Sequence, residues 1–447
     1  MIWLQLAVLL IMIIIGSNLK GIGLGLMGVL GMFIYVQFFR MQPVGPPGDI
    51  MLIILSIVTA SAALQAAGGL DYLVQIAEKI IRRHPERITL IAPIAAFILC
   101  LFSGTSHVVY SLLPVISDLS AKKGIRPERP LSATVIASHM ALTGSPMAAC
   151  TAALATVLAY PGAPLDIMKI AIPACFIGTI AACLVMYKKG KELKDDPIYL
   201  EKLKDPEFVA YLKSEDTGVE KVVSRDAKLS VFIFGLAILM IVLGGSFPQL
   251  VPSMVGGEDN VMVNADGSLK MVSIISTVSL SAAALIMLFT QAKPDKIVKS
   301  SLFLSMATAL ISVYGVVWMS ATFMAANEPA IKAALGSITE SYPWVFAVAI
   351  FVMGVLMFSQ GATTKAMMPL GLTLGLPAAS LIAMFPAVSS FFVLPGYPTI
   401  LAAITMDKTG STRIGKYVVN HSFMLPGMVA TVVSIIAGFL LAALFGI

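Results

Sequence analysis

Apolar runs about as long as a bilayer is thick recur along this chain from residue 2 to the C-terminus, with short polar segments between them. A run of roughly 20 apolar residues is long enough to cross the hydrocarbon core as a helix. Hydrophobic residues make up 58% of the 447 residues and charged residues only 12%, which leaves too little polar surface for a soluble globule of this size. The sequence therefore predicts an all-α polytopic membrane protein in contact with the lipid bilayer.

Most of the apolar runs fit a simple scheme of spanning helices, with both termini outside the cytoplasm. They are 2–16, 21–39, 50–66, 130–157, 168–187, 229–247, 271–291, 299–325, 377–405 and 417–447. The first run has no positive charge before it and other spans follow it directly, so we interpret it as a retained helix and not as a secretory signal. Two further stretches, 88–121 and 343–376, do not fit the scheme, because small polar residues interrupt each near its middle.

The first interrupted stretch is flanked by two basic segments, "IRRHPER" at 81–87 and "AKKGIRPER" at 121–129. Basic loops lie preferentially in the cytoplasm, so both ends of the stretch are expected on that side, as in a re-entrant hairpin. Its arms, Ile88–Phe102 and His107–Leu119, would be about 22 and 20 Å long, against a hydrocarbon core of about 30 Å. The polar tip between the arms should therefore stop inside the membrane, where irregular backbone must be buried in protein or face a polar cavity.

The second interrupted stretch, 343–376, has the same order of arm, polar tip and arm. Its preceding flank, 325–343, contains a single lysine, so this hairpin is expected to enter from the opposite, extracytoplasmic face. Each hairpin is followed by a long apolar segment with a central break, "TGSP" at 143–146 and "LPGYPT" at 394–399. The sequence therefore predicts two hairpins that are inverted copies and two broken helices.

These features divide the chain into two inverted repeats of like design, 1–187 and 229–447. The segment between them, 188–228, carries ten basic and ten acidic residues. We interpret it as a charged cytoplasmic linker with some helix and no role in chemistry.

Inverted repeats whose broken helices meet near the bilayer midplane are typical of the binding site of a secondary transporter. Such a meeting point brings together helix N-termini, unpaired backbone N–H groups and hydroxyls, which suits carboxylates. Neutral donors can hold an anion and still release it. The candidate substrate-binding residues of the tips and breaks are Ser103, Gly104, Thr105, Ser106, His107, Thr143, Ser145, Pro146, Ser359, Gln360, Thr363, Thr364, Lys365, Tyr397, Pro398 and Thr399.

Several polar residues have a structural alternative. Ser and Thr in membrane helices often bond to their own backbone or to a neighbouring helix. Lys365 is interpreted as a counter-charge for a substrate carboxylate or as a cation in place of bound Na⁺, with snorkelling or an ion pair as the alternative. His107 could donate to a substrate or pack as a neutral ring. For His139 and His421 we expect hydrogen bonds across helices, and for Asp118 an ion pair with a lysine of the following loop.

The remaining sequence argues against other classes of function. The four cysteines lie in apolar segments without a CxxC pair and the four histidines form no HExxH motif, so we expect no metal ion and no other cofactor. The sequence contains no Walker A motif for ATP-driven transport and no nucleophile, base and acid at a spacing typical of an enzyme. The net charge of +6 is spread over loops, which indicates membrane orientation and not nucleic-acid binding.

Four segments resemble the Dcu family of anaerobic C4-dicarboxylate transporters: "GGLDYLV" at 68–74, "DDPIY" at 195–199, "SQGATTKAMMP" at 359–369 and "GYPTILAAITMDKTGSTRIGKYVVNH" at 396–421. The resemblance covers nearly the whole chain. It implies exchange or uptake of fumarate, malate, aspartate and succinate across a bacterial inner membrane, typically fumarate in and succinate out. Gly361 departs from the alanine expected at its position, which affects the second tip.

The family is further similar to the superfamily of dicarboxylate/Na⁺ symporters that work as elevators, and that similarity implies a homodimeric scaffold. A membrane sensor kinase is a further partner that the resemblance implies. Coupling to H⁺ or Na⁺ stays open, as does a carrier of other anions such as citrate or sulfate. A membrane subunit that senses dicarboxylates without moving them is the alternative from another class.

Overall fold

The computed structural model describes residues 1–19, 22–46, 48–158, 160, 162–214, 223–252, 262–263, 267–300, 342–417 and 419–447, with short pieces between 302 and 330. The chain is helical throughout these residues, and extended pairing among them is limited to two isolated bridges. The prediction of an all-α protein is confirmed. The predicted span 299–325 lies partly outside the described residues.

The N-terminal part consists of four helices and one sharp bend. The helices are α1 (Ile2–Leu19), α2 (Gly23–Gln37), α3 (Gly48–Ala66) and α4 (Gly69–Arg83). The axes of α3 and α4 differ by 72° across a short break. The sequence prediction recognised α3 but missed α4, because the mixture of polar and apolar residues in α4 does not read as a membrane span.

The first interrupted stretch forms two short helices around a tip, followed by a broken helix. Its helices are α5 (Ile88–Ser103) and α6 (Leu113–Lys122), and the next segment divides into α7 (Glu128–Leu142) and α8 (Ala149–Leu158). The 16 residues of α5 extend about 24 Å at 1.5 Å per residue, and with the turn before them they form a helical run of 19 residues, Pro85–Ser103. The break between α7 and α8 lies at the predicted "TGSP".

A long helix, a helical linker and three further helices follow. They are α9 (Ala163–Met186), α10 (Pro197–Lys202), α11 (Pro206–Lys213), α12 (Arg225–Ser246), α13 (Met271–Phe289) and α14 (Pro294–Val298). The linker contains helix, as predicted. Because α12 begins at Arg225, capped by the Ser224 hydroxyl, the last residues of the predicted linker belong to that helix.

The second interrupted stretch repeats the order of the first. Its helices are α15 (Val345–Met357) and α16 (Gln360–Thr373), and the segments after it form α17 (Ala378–Met384), α18 (Pro398–Met406) and α19 (Met424–Phe445). A 3₁₀ segment, Phe385–Val393, continues α17 and is bent by 54° from α18. The helix predicted at 417–447 begins only at 424, because residues 407–417 and 419–423 form turns and not helix.

Among the described residues, five helices are long and apolar enough to cross a membrane, or up to seven when each bent pair counts as one span. One of the five includes α5, the first arm of the predicted hairpin. Three pairs of elements pack extensively: α9 lies along α19, α5 packs on α7, and α15 packs on the 3₁₀ segment. In addition α8 packs on α16 and α18 packs on α6, so each half of the chain contributes to the core of the other.

Candidate functional site

The two polar tips have the same backbone conformation. Helix α5 ends in Gly104 with φ +68°, and α15 ends in Phe358 with φ +49°, both in the left-handed region. The next residue in each tip is extended, and its side-chain oxygen accepts a backbone N–H a few residues further on: Thr105 accepts that of His107, in the 3₁₀ segment Ser106–Ser111, and Ser359 accepts that of Ala362 in α16. Phe358 is a non-glycine residue in a conformation that costs energy, so the surrounding packing must hold it there.

In the first tip the polar side chains are held by their neighbours. The Ser103 hydroxyl is buried and lies 3.2 Å from the Thr105 carbonyl oxygen, to which it donates. Ser106 is also buried, and its side chain is a neighbour of the Tyr397 side chain in the second break. The His107 ring stacks on Tyr110, with ring centres 5.8 Å apart.

In the second tip the hydroxyl protons are used within the helix. Thr363 and Thr364 donate to the carbonyl oxygens four residues earlier, at 2.8 and 2.7 Å, and both are fully buried. These two threonines therefore bond to the backbone of their own chain segment, as the structural alternative predicts. Their hydroxyl oxygens can still accept hydrogen bonds. Lys365 is half-buried one residue further along α16.

Gln360 connects the second tip to the first half of the chain. Its amide nitrogen donates to the backbone oxygen of His139 on α7 at 2.9 Å and to the Ser389 hydroxyl at 2.8 Å. The Gln360 side chain is buried. The second tip is thus joined to α7, the helix that precedes the first break.

The first break packs against the first tip. The Ser145 hydroxyl donates to the Leu101 carbonyl oxygen at 2.6 Å, and Met147 lies so close to Gly104 that a Cβ there would overlap its backbone. Thr143 donates to the Met140 carbonyl oxygen at 2.7 Å and contacts a buried cysteine. Pro146, in the same break, is also buried.

The second break packs against the second tip in the same way. Gly396 lies beside the Phe358 ring. The Ser390 hydroxyl donates to the Phe351 carbonyl oxygen at 2.6 Å, as Ser145 does to Leu101 in the first half. Tyr397 and Pro398 form the N-terminus of α18, and the next residue is the buried Thr399.

His139 joins α7 to the second tip and the second break, although its position in the sequence did not single it out as a site residue. Its Nε2 lies 2.8 Å from the Thr399 hydroxyl, and its ring centre lies 4.6 Å from that of Phe391 and 5.1 Å from that of Tyr397. Its Nδ1 is buried and has no hydrogen-bond partner among the described residues. The expected cross-helix bonds are confirmed for His139 and for His421, whose Nε2 lies 3.1 Å from the Val393 carbonyl oxygen.

A second polar cluster lies at the predicted cytoplasmic end of these helices. Arg126 pairs with Glu128 at 2.6 Å and with Asp196 of the linker at 2.5 Å, and all three side chains are buried. Glu128 accepts the Ser422 hydroxyl at 2.9 Å. This role of the linker was not predicted from the sequence, because the partners of Arg126 are up to 70 residues away.

The charge of Asp196 is stabilised by this cluster. Burial raises the pKa of the Asp196 carboxyl, but the hydrogen bond and charge of Arg126 and the amide of Ile198 outweigh burial, so that the pKa lies below its ordinary value. The neighbouring Asp118 pairs with Lys122 at 3.0 Å, which confirms the predicted ion pair. No group of three or more metal-ligating side chains occurs in the part of the chain that the structure describes.

The comparisons with known proteins agree on a family. The family model described as "Anaerobic c4-dicarboxylate membrane transporter" matches residues 1–446. The chain belongs to this family. Membership of a transporter family confirms the resemblance of the four sequence segments and the expectation that the chain is not an enzyme.

Relatives and a solved structure extend this finding. The chain is 37% identical to the anaerobic C4-dicarboxylate transporter DcuB of Escherichia coli O6:H1, over 99% of the chain and 98% of the relative. It is 38% identical to the C4-dicarboxylate transporters DcuA of Wolinella succinogenes and of Helicobacter pylori strain 26695, over 98% of each chain. The fold is shared with the YdaH transporter of Alcanivorax borkumensis, at a TM-score of 0.53, 15% identity and coverage of 99% of this chain and 97% of that chain. The protein is a multi-pass membrane transporter.

Proposed function

We propose that this transporter exchanges C4-dicarboxylates across a bacterial inner membrane, with fumarate taken up against succinate. The names of the relatives from Escherichia, Wolinella and Helicobacter support the substrate class, since each is a C4-dicarboxylate transporter. Fumarate, succinate, malate and aspartate each have two carboxylates joined by a short carbon chain. A site for them needs two anion-binding points that face each other.

The observation that carries the proposal is the matched backbone conformation of the two tips, together with His139 of α7, which contacts both the second tip and the second break. The first amides of α16 have no acceptor within the helix, and the positive end of the helix dipole lies there. A Cβ on Gly361 would meet no atom within 4 Å, so the space beside these amides is open to a carboxylate. The second carboxylate would lie at Ser103 and Ser106 in the first tip.

We further propose that the halves 1–187 and 229–447 are inverted repeats, with re-entrant hairpins 88–121 and 343–376. The hairpins and broken helices would move together as an elevator against a scaffold of the other helices, in a homodimer. Exchange fits this arrangement, because an empty unit with bare polar tips crosses hydrocarbon at high cost. A sensor kinase as a partner remains a prediction from the resemblance.

Counterflow in proteoliposomes tests the site. Vesicles loaded with succinate are given labelled fumarate, and the initial rate is measured for wild type and for Ser103→Ala, Thr364→Ala and Lys365→Ala. In this structure the Ser103 and Thr364 hydroxyls donate to backbone carbonyl oxygens, so each must turn to the substrate carboxylate to bind it. Loss of such a hydrogen bond, or of an ion pair, to a charged substrate costs about 1.5–3 kcal/mol, so we expect a 10- to 100-fold higher KM or lower rate. Wild-type rates and affinities in all three variants would overturn the assignment.

Thr373→Ala is the matched control for Thr364→Ala. Thr373 lies on the same helix and also donates to the carbonyl oxygen four residues earlier, at 2.9 Å, but it is exposed near the helix end. It should keep the wild-type rate. Competition by unlabelled aspartate, malate, citrate and sulfate, at two pH values and with or without Na⁺, separates C4-dicarboxylate exchange from an ion-coupled carrier of other anions.

A further inference from the structure

Helix α4 has three distinct faces. One face packs into the protein through Leu70, Val74, Ala77 and Ile81. At 3.6 residues per turn, Ile76 and Ile80 lie roughly a third of a turn away from that stripe. These two side chains are 42% and 45% exposed. The remaining face is polar and begins with the exposed Asp71.

The direction of α4 indicates where the exposed isoleucines lie relative to the membrane. Helix α3 is apolar and α4 turns away from it by 72°. If α3 crosses the bilayer near its normal, α4 lies close to the membrane plane. The basic residues that follow α4 put this end of the helix at the cytoplasmic face. An amphipathic helix in that position turns its second apolar face to the acyl-chain boundary.

A cation lies on the same exposed face of α4 as Ile76 and Ile80. Arg83 follows Ile76 by seven residues, two helical turns, and therefore lies on the same line at the end of α4. It is exposed, as is Arg87 just beyond the helix. A guanidinium on the membrane-facing line of an interfacial helix lies at the level of lipid phosphates, for which its planar donor fork is suited.

We propose that α4 is an interfacial helix that binds anionic phospholipid headgroups through Arg83, with Ile76 and Ile80 in the acyl-chain boundary. The charge of the site and its place at the anionic cytoplasmic leaflet favour lipid over a second copy of the chain. This inference does not depend on the substrate or the mechanism of transport. It concerns the connection between α3 and the first hairpin, because α4 leads through residues 85–87 directly into α5.

Spin labels test the position of the helix. Cysteines are introduced singly at Ile76, Ile80 and Asp71 in the full chain, and labelling should be selective because the four native cysteines are buried. In nanodiscs, labels at 76 and 80 should be reached more by oxygen than by a water-soluble nickel complex, and the label at 71 the reverse. Water-like accessibility at 76 and 80 would overturn the proposal, and so would spin–spin coupling between two copies.

Titration with phosphatidylglycerol tests the charge. Native mass spectrometry of the purified protein should give an affinity about five-fold lower for Arg83→Gln, the effect of one interfacial cation. Lys204→Gln is the control, because Lys204 is an exposed linker cation away from α4, and should bind the lipid as wild type does. Equal affinity of wild type and Arg83→Gln, or an equal loss in both variants, would contradict a headgroup site at α4.

Discussion

Gly104 is the single residue on which the first tip depends most. Its φ of +68° is unfavourable for any side chain, and a Cβ would overlap the backbone of Met147. The conformational penalty alone is about 1–2 kcal/mol. Gly104→Ala should therefore lower the counterflow rate about ten-fold or more, with some loss of folded protein on size-exclusion chromatography.

Gly124→Ala separates the overlap from the backbone penalty. Gly124 has nearly the same φ, +69°, but no atom lies within 4 Å of its added Cβ. We expect a small loss of stability and a near wild-type counterflow rate. Equal transport losses in the two variants would mean that the contact between the first tip and the first break is not important.

The sequence singled out candidate residues for the site but did not predict how they are bonded. Ser103 and Thr364 were identifiable because polar residues in apolar runs are costly. The partner of His139 was not, because Thr399 is 260 positions away. No local sequence pattern indicates a contact between residues so far apart. Only the expectation that helices of the two halves pack against each other could have predicted this contact.

Among the elements, the linker is tied to the helices by two ion pairs, the buried one between Asp196 and Arg126 and one at 3.0 Å between the exposed Glu192 and Arg129. Asp196→Asn removes a charge from Arg126, which keeps Glu128 as its other partner. We expect a loss of about 2–3 kcal/mol at neutral pH, below the 3–5 kcal/mol typical of a fully broken buried pair. Thermal unfolding followed by circular dichroism measures it. Asp195→Asn is the control, because Asp195 is exposed, and should unfold as wild type does.

The Asp196 pair also predicts a pH dependence. The pKa of Asp196 is lower in the folded protein than in the unfolded chain, so its stabilisation is complete above the unfolded pKa, near 3.9, and is lost as the pH falls through the folded pKa. The difference in unfolding temperature between wild type and Asp196→Asn should be constant from pH 7 to about pH 5 and shrink below that. A difference that grows on acidification would contradict this sign.

At the scale of elements, apolar run lengths and polar interruptions predicted α5 to α9 and α15 to α19 closely. They did not predict α4, which carries polar residues on one face, or the polar turn that begins at Asp407. That turn owes its shape to Asp407, whose carboxylate accepts the amide of Thr412 at 2.6 Å and the Ser411 hydroxyl at 2.8 Å. In the sequence these residues were recognisable only as part of the segment 396–421 that resembles the Dcu family, and their conformation was not predicted.

For the whole molecule, the predicted topology places the linker and the far end of the second hairpin on opposite sides. Single cysteines at Lys204 and Thr373 test this, since both positions are exposed and the native cysteines are buried. An impermeant maleimide should label position 373 only from outside and position 204 only from the cytoplasmic side. Labelling of both positions from one side would rule out hairpins that enter from opposite faces.

The most direct test of the central claim is a cryo-EM structure of the full chain in nanodiscs with fumarate. The account predicts ligand density between the two tips, with one carboxylate at the first amides of α16 and the other at Ser103 and Ser106. Density for the diacid elsewhere would contradict the shared site, and so would a structure in which either stretch, 88–121 or 343–376, crosses from one compartment to the other.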